Sequence, residues 1–79
     1  MYPEKSRFQY KGYECIIKLA PNDIGFLDGC CSILKDNKPV SLCVLGPSIS
    51  SEAEATFILR GEAEKRIKAL IDEKQSASL

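Results

Sequence analysis

The sequence predicts an α+β fold: a three-stranded antiparallel β-meander followed by one C-terminal amphipathic helix that packs on one face of the sheet (β-β-β-α). Apolar and polar residues alternate with a period of two over much of residues 8–45, and turn-forming clusters interrupt this alternation. A helical period follows residue 51. The chain has 79 residues, enough for one small domain. We assign it to residues 1–74 and expect residues 75–79 to form a disordered tail.

The first predicted strand covers residues 8–19. The face that carries the apolar residues changes at Lys11-Gly12, so Gly12 marks a turn or a bulge. Beyond that point, apolar side chains alternate with polar ones and predict a half-buried strand. The apolar positions are Tyr13, Cys15, Ile17 and Leu19.

Two further strands are predicted at 26–35 and 40–45, because turn-forming residues occupy 20–25 and 36–39. Short loops between successive strands favour antiparallel pairing of neighbours. In the last strand, Val40, Leu42 and Val44 share one face, and we expect the helix to cover them. The full set expected beneath the helix is Tyr13, Cys15, Ile17, Leu27, Cys31, Ile33, Val40, Leu42 and Val44.

The helix is predicted to begin at Ser51 and to run to about Lys74. Ser51 and Glu54 have the spacing of a capping box, and acidic residues in the first turn suit the positive end of the helix dipole. At 100° per residue, the apolar positions fall within an arc of about 160°. They are Ala53, Thr56, Phe57, Leu59, Ala63, Ile67, Leu70 and Ile71.

One helix covers only one face of a sheet, so the second face is either solvated or part of an interface. We expect this open face to carry both charged and apolar residues, the latter including Ile16 and Leu34. Ile58 points away from the predicted helix arc and is expected to be an exposed anchor. The candidate interface residues are Ile16, Leu34, Cys43, Leu45, Ile58, Arg60 and Glu64.

Arg60 and Glu64 are placed inside the apolar arc of the helix, four residues apart. An ion pair with this spacing contributes a few tenths of a kcal/mol, about 0.3–0.5, when exposed. The structural interpretation is that the helix overhangs the sheet edge, where the Arg60 stem covers apolar surface. The functional alternative is a polar contact with a partner or a small anionic ligand.

The four cysteines are Cys15, Cys30, Cys31 and Cys43, and no pair of them has the C-x-x-C spacing of a zinc or redox site. Alternation places Cys30 and Cys31 on opposite faces, so the four thiols cannot close one tetrahedron around a metal. We therefore expect free thiols that pack as small apolar residues. Two alternatives stay open: cross-strand disulfides, Cys15 with Cys31 or Cys30 with Cys43, and a reactive or metal-binding thiol.

The composition argues against catalysis. The chain has no His, which removes the usual activating base for a Ser or Cys nucleophile and the commonest zinc ligand. Calcium-loop and phosphate-loop glycine motifs are missing from the sequence. We expect no cofactor and no metal. The polar N-terminus has no apolar signal-peptide core, and no apolar run is long enough for a membrane span, so we expect a cytoplasmic protein.

The charge distribution argues against nucleic acid as a partner. Lys and Arg together number 11, as do Asp and Glu, so the formal net charge is zero. Residues 1–45 hold six basic and five acidic side chains, and residues 46–79 hold five and six. Lys65, Arg66 and Lys68 spread around the helix instead of forming the stripe that a phosphate backbone requires.

Two resemblances bear on these expectations. The segment Tyr10-Lys11-Gly12-Tyr13 and the helix start Ser51–Ala55 look like those of small uncharacterised bacterial proteins with a β-β-β-α plan. That resemblance implies a fold and no activity. The dipeptides Gly29-Cys30 and Glu52-Ala53 resemble those of HicB-like antitoxin domains, although Asp28 stands where that family has Pro. This second resemblance implies an RNA-binding-like fold and a toxin partner.

Taken together, the residues predict a non-catalytic domain that associates with protein, a second copy or a partner, through the open sheet face. The first alternative is a regulatory nucleic-acid or toxin binder of the HicB-like antitoxin type. The second is a thiol-based redox or metal role.

Overall fold

A computed structural model describes residues 3–46 and 48–77 of the chain. The elements are β1 (Glu4–Tyr10), β2 (Tyr13–Pro21), β3 (Leu27–Lys35), β4 (Lys38–Val44) and α1 (Glu52–Ala77). The strands form one antiparallel sheet in the order β1-β2-β3-β4, and α1 packs on one side of it. The predicted α+β class, meander and C-terminal helix are confirmed, but the sheet has four strands instead of three.

The additional strand arises at Lys11-Gly12, where the predicted first strand divides into a hairpin. Both residues have positive φ, 50° and 84°, as a two-residue type I′ turn requires. Tyr10 pairs with Tyr13 across this turn. Of the two interpretations of Gly12, the turn is therefore correct. The pairing of β1 with β2 continues without interruption to Ser6 opposite Ile17, and a bulge follows near Lys5.

Asn22 organises the loop between β2 and β3. Its side-chain Oδ1 accepts hydrogen bonds from the backbone N–H groups of Ile24 and Phe26, both at 3.0 Å, and its backbone N–H donates to the Phe26 carbonyl at 2.8 Å. Gly25 supplies a residue with φ of 86°. The predicted turn cluster is confirmed, and it sets β2 against β3 with Pro21 opposite Leu27.

The hairpin between β3 and β4 also turns in two residues. Asp36 and Asn37 have φ of 53° and 64°, so this is a second type I′ turn, and Lys35 pairs with Lys38 across it. The register then shifts: Leu34 lies opposite Pro39, but Ile33 lies opposite Ser41. Val40 is thus the extra residue of a β-bulge.

The core lies between the sheet and one stripe of α1. Ala55, Leu59, Ala63 and Ile67 recur every four residues on the helix and are fully buried. The alanines let the helix approach the sheet closely, because they project only a methyl group. The buried residues of the strands and of the segment after β4 are Tyr13, Cys15, Ile17, Leu19, Leu27, Cys31, Ile33, Cys43 and Leu45.

Gly29 is part of this packing because no side chain fits at its position. A Cβ there would lie 2.4 Å from Leu19 Cδ2 and 3.0 Å from the Lys18 carbonyl oxygen. The space above Gly29 is filled by the side chain of Leu19, with Leu45 close by. The glycine therefore allows two large apolar side chains to meet under the helix.

The start of α1 follows the capping prediction in part. Ser51 Oγ accepts a hydrogen bond from the Glu54 N–H at 3.4 Å, and Glu52 forms an ion pair with Lys5 at 3.2 Å.

Two of the helix positions predicted to lie in the core are wrong, since Ala53 and Phe57 are exposed. The helix also continues beyond Lys74 to Ala77, and residues 78 and 79 of the expected tail lie outside the described residues.

Candidate functional site: the open sheet face and the β4 edge

The sheet face opposite α1, here called the open face, has no described element packed on it. Its side chains are those that alternate with the buried set, so cross-strand pairing defines their neighbours. One row across the sheet runs Arg7, Ile16, Ser32 and Leu42, and the next runs Lys18, Cys30 and Val44. Each row passes from charge on β1 or β2 to an apolar residue on β4.

Apolar residues concentrate on the half of the open face formed by β3 and β4. Leu42 is 54% exposed and Val44 is 72% exposed, while Cys30 and Leu34 beside them are half-buried. Ile16 on β2 continues this patch towards the middle of the sheet. We call Ile16, Cys30, Leu34, Leu42 and Val44 the apolar patch. Apolar side chains that adjoin one another at the surface are typical of protein-binding surfaces.

Charged residues occupy the other half, and three of them form ion pairs with each other. Arg7 donates to both carboxylate oxygens of Glu4, at 2.8 and 3.0 Å, and to Glu14 across the strand at 3.3 Å. These hydrogen bonds lower the pKa of the Glu4 carboxyl and raise the pKa of the Arg7 guanidinium. The arginine head is thus held by two acids of its own chain, which gives this half a fixed pattern of charge.

The bulge at Val40 determines which residues of β4 reach the open face. A two-residue turn at Asp36-Asn37 with uninterrupted pairing would set Val40 opposite Ile33, so Val40, Leu42 and Val44 would all point towards α1. The extra residue advances the register by one, and Ser41 takes the place opposite Ile33. Every side chain beyond the bulge therefore changes face.

This inversion corrects several sequence predictions at once. Leu42 and Val44 were expected beneath the helix, but they are exposed, as is Val40 at 43%. Cys43 and Leu45 were expected on the open face as interface residues, but each is only 7% exposed and belongs to the core under α1. No sequence signal marks the bulge itself, and for this reason the alternation of β4 was assigned to the wrong faces.

The other candidate interface residues have mixed positions. Ile16 and Leu34 lie on the open face as predicted. Ile58 is not an exposed anchor, because it is half-buried and packs against the core cluster. The exposed helix residue is Phe57 instead, at 80%. Sequence reasoning assigned Phe57 to the core, where an aromatic residue is more common than on the surface.

Arg60 and Glu64 lie on the flank of α1 that faces β1. Arg60 Nε is 3.7 Å from Glu64 Oε2, and the guanidinium carbon is 4.7 Å from the centre of the Phe8 ring. This cation–π contact stabilises by about 0.5–1 kcal/mol at an exposed site. Arg60 therefore covers an aromatic ring at the sheet edge, which agrees with the structural interpretation of the pair.

Three of the four thiols are buried under the helix. Burial raises the pKa of Cys15 and of Cys43, and it raises the pKa of Cys31 to about 12. These thiols are therefore protonated near neutral pH, whereas nucleophilic cysteines need a lowered pKa. All four cysteines are free, and Cys30 lies on the face opposite Cys43, so the Cys30–Cys43 disulfide is excluded by geometry.

A shallow groove of about 430 Å³ lies at the end of the sheet near the start of α1. Pro3, Leu19, Pro21 and Leu27 contribute to its lining, together with the paired residues Lys5 and Glu52.

Over residues 3–46 and 48–77, the structure contains no group of three or more acidic, Cys or His side chains arranged to hold a metal ion. Within the same residues, no helix is long and apolar enough to cross a membrane.

The fold and the open face define a four-stranded antiparallel meander with one covering helix and one uncovered, partly apolar face. Comparison with known proteins adds no family to this description: no family model, no curated protein and no solved structure matches the chain. The two resemblances to bacterial β-β-β-α proteins and to HicB-like antitoxin domains stay predictions.

Proposed function

We propose that this chain acts without catalysis, by associating with protein through the apolar patch of its open face. One observation carries the proposal: the bulge at Val40 turns Leu42 and Val44 outward, where they are exposed on the same face as the half-buried Cys30, Leu34 and Ile16. Removing such a surface from water stabilises an association by roughly 25 cal/mol per Å² of apolar area before the entropic costs of binding.

The arrangement of charge supports a specific contact. Arg7, Glu4 and Glu14 form a fixed cluster on the half of the face next to the patch. A protein interface commonly combines an apolar centre with a polar rim, and the open face has both parts side by side. A partner would place apolar side chains over β3 and β4 and complementary polar groups over β1 and β2.

The alternatives have weaker support. A nucleic-acid binder of the antitoxin type requires a basic surface, whereas the basic residues of the open face, Arg7 and Lys18, share it with Glu4 and Glu14. A thiol-based redox role requires a thiolate, whereas burial raises the pKa of three of the four thiols.

The test is retention of a partner from cells of the source organism by immobilised protein, compared between matched variants. Leu34→Lys and Leu42→Lys place a charge in the apolar patch, and Phe57→Lys places the same charge on the exposed back of α1. We expect one protein, identified by mass spectrometry, to be retained stoichiometrically by the wild type and by Phe57→Lys. Both patch variants should lose it.

Retention that is equal in all four proteins would contradict an interface at the patch. Retention of nucleic acid in place of protein would favour the antitoxin-type alternative. Circular dichroism of each variant verifies that the fold is intact. Leu42 and Phe57 are exposed positions, where substitutions usually change stability by less than about 0.5 kcal/mol, and Leu34 is half-buried.

A further inference from the structure

The outer side of β4 is an unpaired sheet edge in the described structure. β4 is the last strand of the sheet, and its inner partner is β3. Leu45 donates its N–H to the Gly29 carbonyl at 2.9 Å, so the alternate residues Cys43 and Ser41 also direct their backbone groups towards β3. The N–H and C=O groups of Leu42 and Val44 consequently point away from the sheet, ready to pair with another strand.

The sequence of β4 is self-complementary in one register. In an antiparallel pair of identical strands with Leu42 opposite Leu42, the two exposed Leu42 side chains lie side by side on the open face, and Val44 of each copy reaches the bulge at Val40 of the other. Centring the pair on Ser41 would set Val44 against Lys38, and centring it on Cys43 would set Val40 against Gly46. The backbone groups of Leu42 point outward, as a hydrogen-bonded pair at the centre requires.

Charge on the neighbouring helix flank also matches a second copy. Arg66 lies beside the Cys43 thiol, and Glu62 is near the same thiol, so both are on the flank of α1 above β4. A two-fold axis perpendicular to the sheet makes the two helices antiparallel, which directs Glu62 of each copy towards Arg66 of the other. Within the described part of its own chain, Glu62 has only a long, exposed ion pair with Lys65, at 3.9 Å. Each helix contacts β2, β3 and β4, so it lies over β3. Three strand spacings, about 14 Å, separate β3 from β3 of the second copy, and the two helices are therefore about 14 Å apart. Long ionic side chains bridge this distance and small side chains do not.

We propose that two copies of this chain associate edge to edge, β4 with β4, around a two-fold axis at Leu42, to form one continuous sheet with both helices on the same side. This inference goes beyond the proposed function, because the second copy pairs with the β4 edge and leaves the apolar patches of both copies open on one face of the joined sheet. The formal net charge of zero means that no overall repulsion opposes the association.

The pairing is short, and this sets the expected affinity. Lys38 and Pro39 are residues that protect sheet edges, and the bulge at Val40 interrupts the regular ladder. Regular hydrogen bonding is therefore confined to the central pair of Leu42 residues, because Val44 of each copy lies opposite the bulged Val40 of the other. An interface of this kind lies at the small end of specific protein contacts, so we expect a dissociation constant on the order of 10 µM.

Sedimentation equilibrium over a range of concentrations tests the proposal. The wild type should pass from 8.7 kDa to twice that mass. N-methylation of Leu42, introduced into the full chain by ligation at Cys30, replaces the outward N–H by N–CH₃ and keeps the side chain. We expect this change to weaken dimerisation at least tenfold. Phe57→Asp on the back of α1 and Ile16→Lys in the middle of the open face should leave the dimer unchanged.

The register is tested in a mixture of isotope-labelled and unlabelled protein. Ser41 and Cys43 form non-hydrogen-bonded pairs across the proposed axis, with Cα atoms about 4.5 Å apart. An intermolecular nuclear Overhauser effect between the Hα of Ser41 and the Hα of Cys43 is therefore expected. Its absence in a sample shown to be dimeric would overturn the Leu42-centred pairing.

Failure of this inference and failure of the proposed function give different results. A wild type that stays at 8.7 kDa up to about 1 mM, far above the expected dissociation constant, would overturn self-association and leave the retention experiment to judge the open face. A dimer that resists N-methylation of Leu42 but is lost in Ile16→Lys would overturn edge pairing and support face-to-face contact through the apolar patch.

Discussion

The two outer hairpins of the sheet begin with the same turn and end with different surfaces. Lys11-Gly12 and Asp36-Asn37 are both two-residue turns with positive φ, and each hairpin contains one bulge. In the first hairpin the bulge lies near Lys5, at the end of β1 away from the turn, so it does not change the face on which the side chains from Ser6 to Tyr10 lie. In the second it lies at Val40, directly after the turn, so the strand beyond it is inverted.

The comparison teaches that the position of a bulge matters more than its presence. The late bulge of β1 leaves Phe8 and Tyr10 on the helix side, where they pack against the core. The early bulge of β4 buries Cys43 and exposes Leu42 and Val44. One residue thus converts a strand that would complete the core into one that presents an apolar edge.

Deletions give the largest expected effect and test this comparison directly. Deleting Val40 removes the bulge but leaves Ser41 opposite Ile33, so all later pairs of β4 are kept, and we expect a loss of at most about 1 kcal/mol. Deleting Ile16 from β2 inverts a central strand and exposes its core residues. That variant should be unfolded, as measured by circular dichroism and urea titration.

The opposite ranking would contradict the assignment of Val40 as the extra residue. If deletion of Val40 also unfolded the chain, Val40 would be necessary for the pairing of β4 with β3 and would not be an inserted residue. Deletion of Lys5, the corresponding residue of the first hairpin, is the matched control and should be tolerated to a similar extent, because it too lies at a register shift.

Alkaline pH should destabilise the protein through the thiols buried on the helix side. The pKa of Cys31 is raised from 9.0 to about 12 by burial, so the folded state holds its proton where the unfolded state loses it. The free energy of unfolding is therefore not reduced by this thiol below about pH 9. It falls as pH rises towards 12, by up to about 1.4 kcal/mol per pH unit for each such thiol.

Urea unfolding between pH 8 and pH 10.5 measures this slope. Cys31→Ala should be less stable at pH 8 but should show a smaller decrease with pH than the wild type. An unchanged slope in Cys31→Ala would show that the buried thiol does not contribute to the pH dependence.

Substitutions in the two turns should destabilise both hairpins to the same extent. Gly12→Ala and Asn37→Ala both place a Cβ-bearing residue that disfavours positive φ in a type I′ turn, so each should cost about 1–2 kcal/mol. Asn37→Gly should change the free energy of unfolding by less than about 0.5 kcal/mol, since both residue types accept this conformation. Thermal unfolding compares all three.

A difference in stability between the two alanine variants would show that the two turns have different steric constraints. Gly12 has one additional constraint, because a Cβ there would lie 2.8 Å from Lys35 Nζ, and Lys35 donates to the Gly12 carbonyl at 3.3 Å. Lys35 is flexible enough to move, so the additional cost should be small. A neutral Asn37→Ala would contradict the second type I′ turn.

Periodicity predicted the parts of this fold in which the chain repeats regularly. Tyr13, Cys15 and Ile17 on β2, and Cys31 and Ile33 on β3, are buried as their alternation indicates, and Leu59, Ala63 and Ile67 form the buried stripe of α1. Regular alternation is informative because each side chain in a strand faces opposite to its neighbour.

The errors in assigning side chains to a face have two physical causes. At Val40 a single inserted residue shifts the alternation of the paired strand, and neither Pro39 nor Val40 differs from residues of a regular edge strand. At Phe57 the predicted arc was too wide, because Ala55 instead of Phe57 occupies the contact with the sheet. Helical periodicity locates the apolar side of α1 only to within about one residue position, and tertiary packing decides the rest.

The central claim is that the bulge turns Cys43 inward and the apolar residues beside it outward. Alkylation of native, reduced protein with iodoacetamide, followed by peptide mass spectrometry, tests it most directly, because Cys30 and Cys43 belong to paired strands and lie on opposite faces. We predict that Cys30 is modified while Cys43 stays protected until the protein unfolds. Modification of Cys43 at the rate of Cys30 or faster would contradict the account.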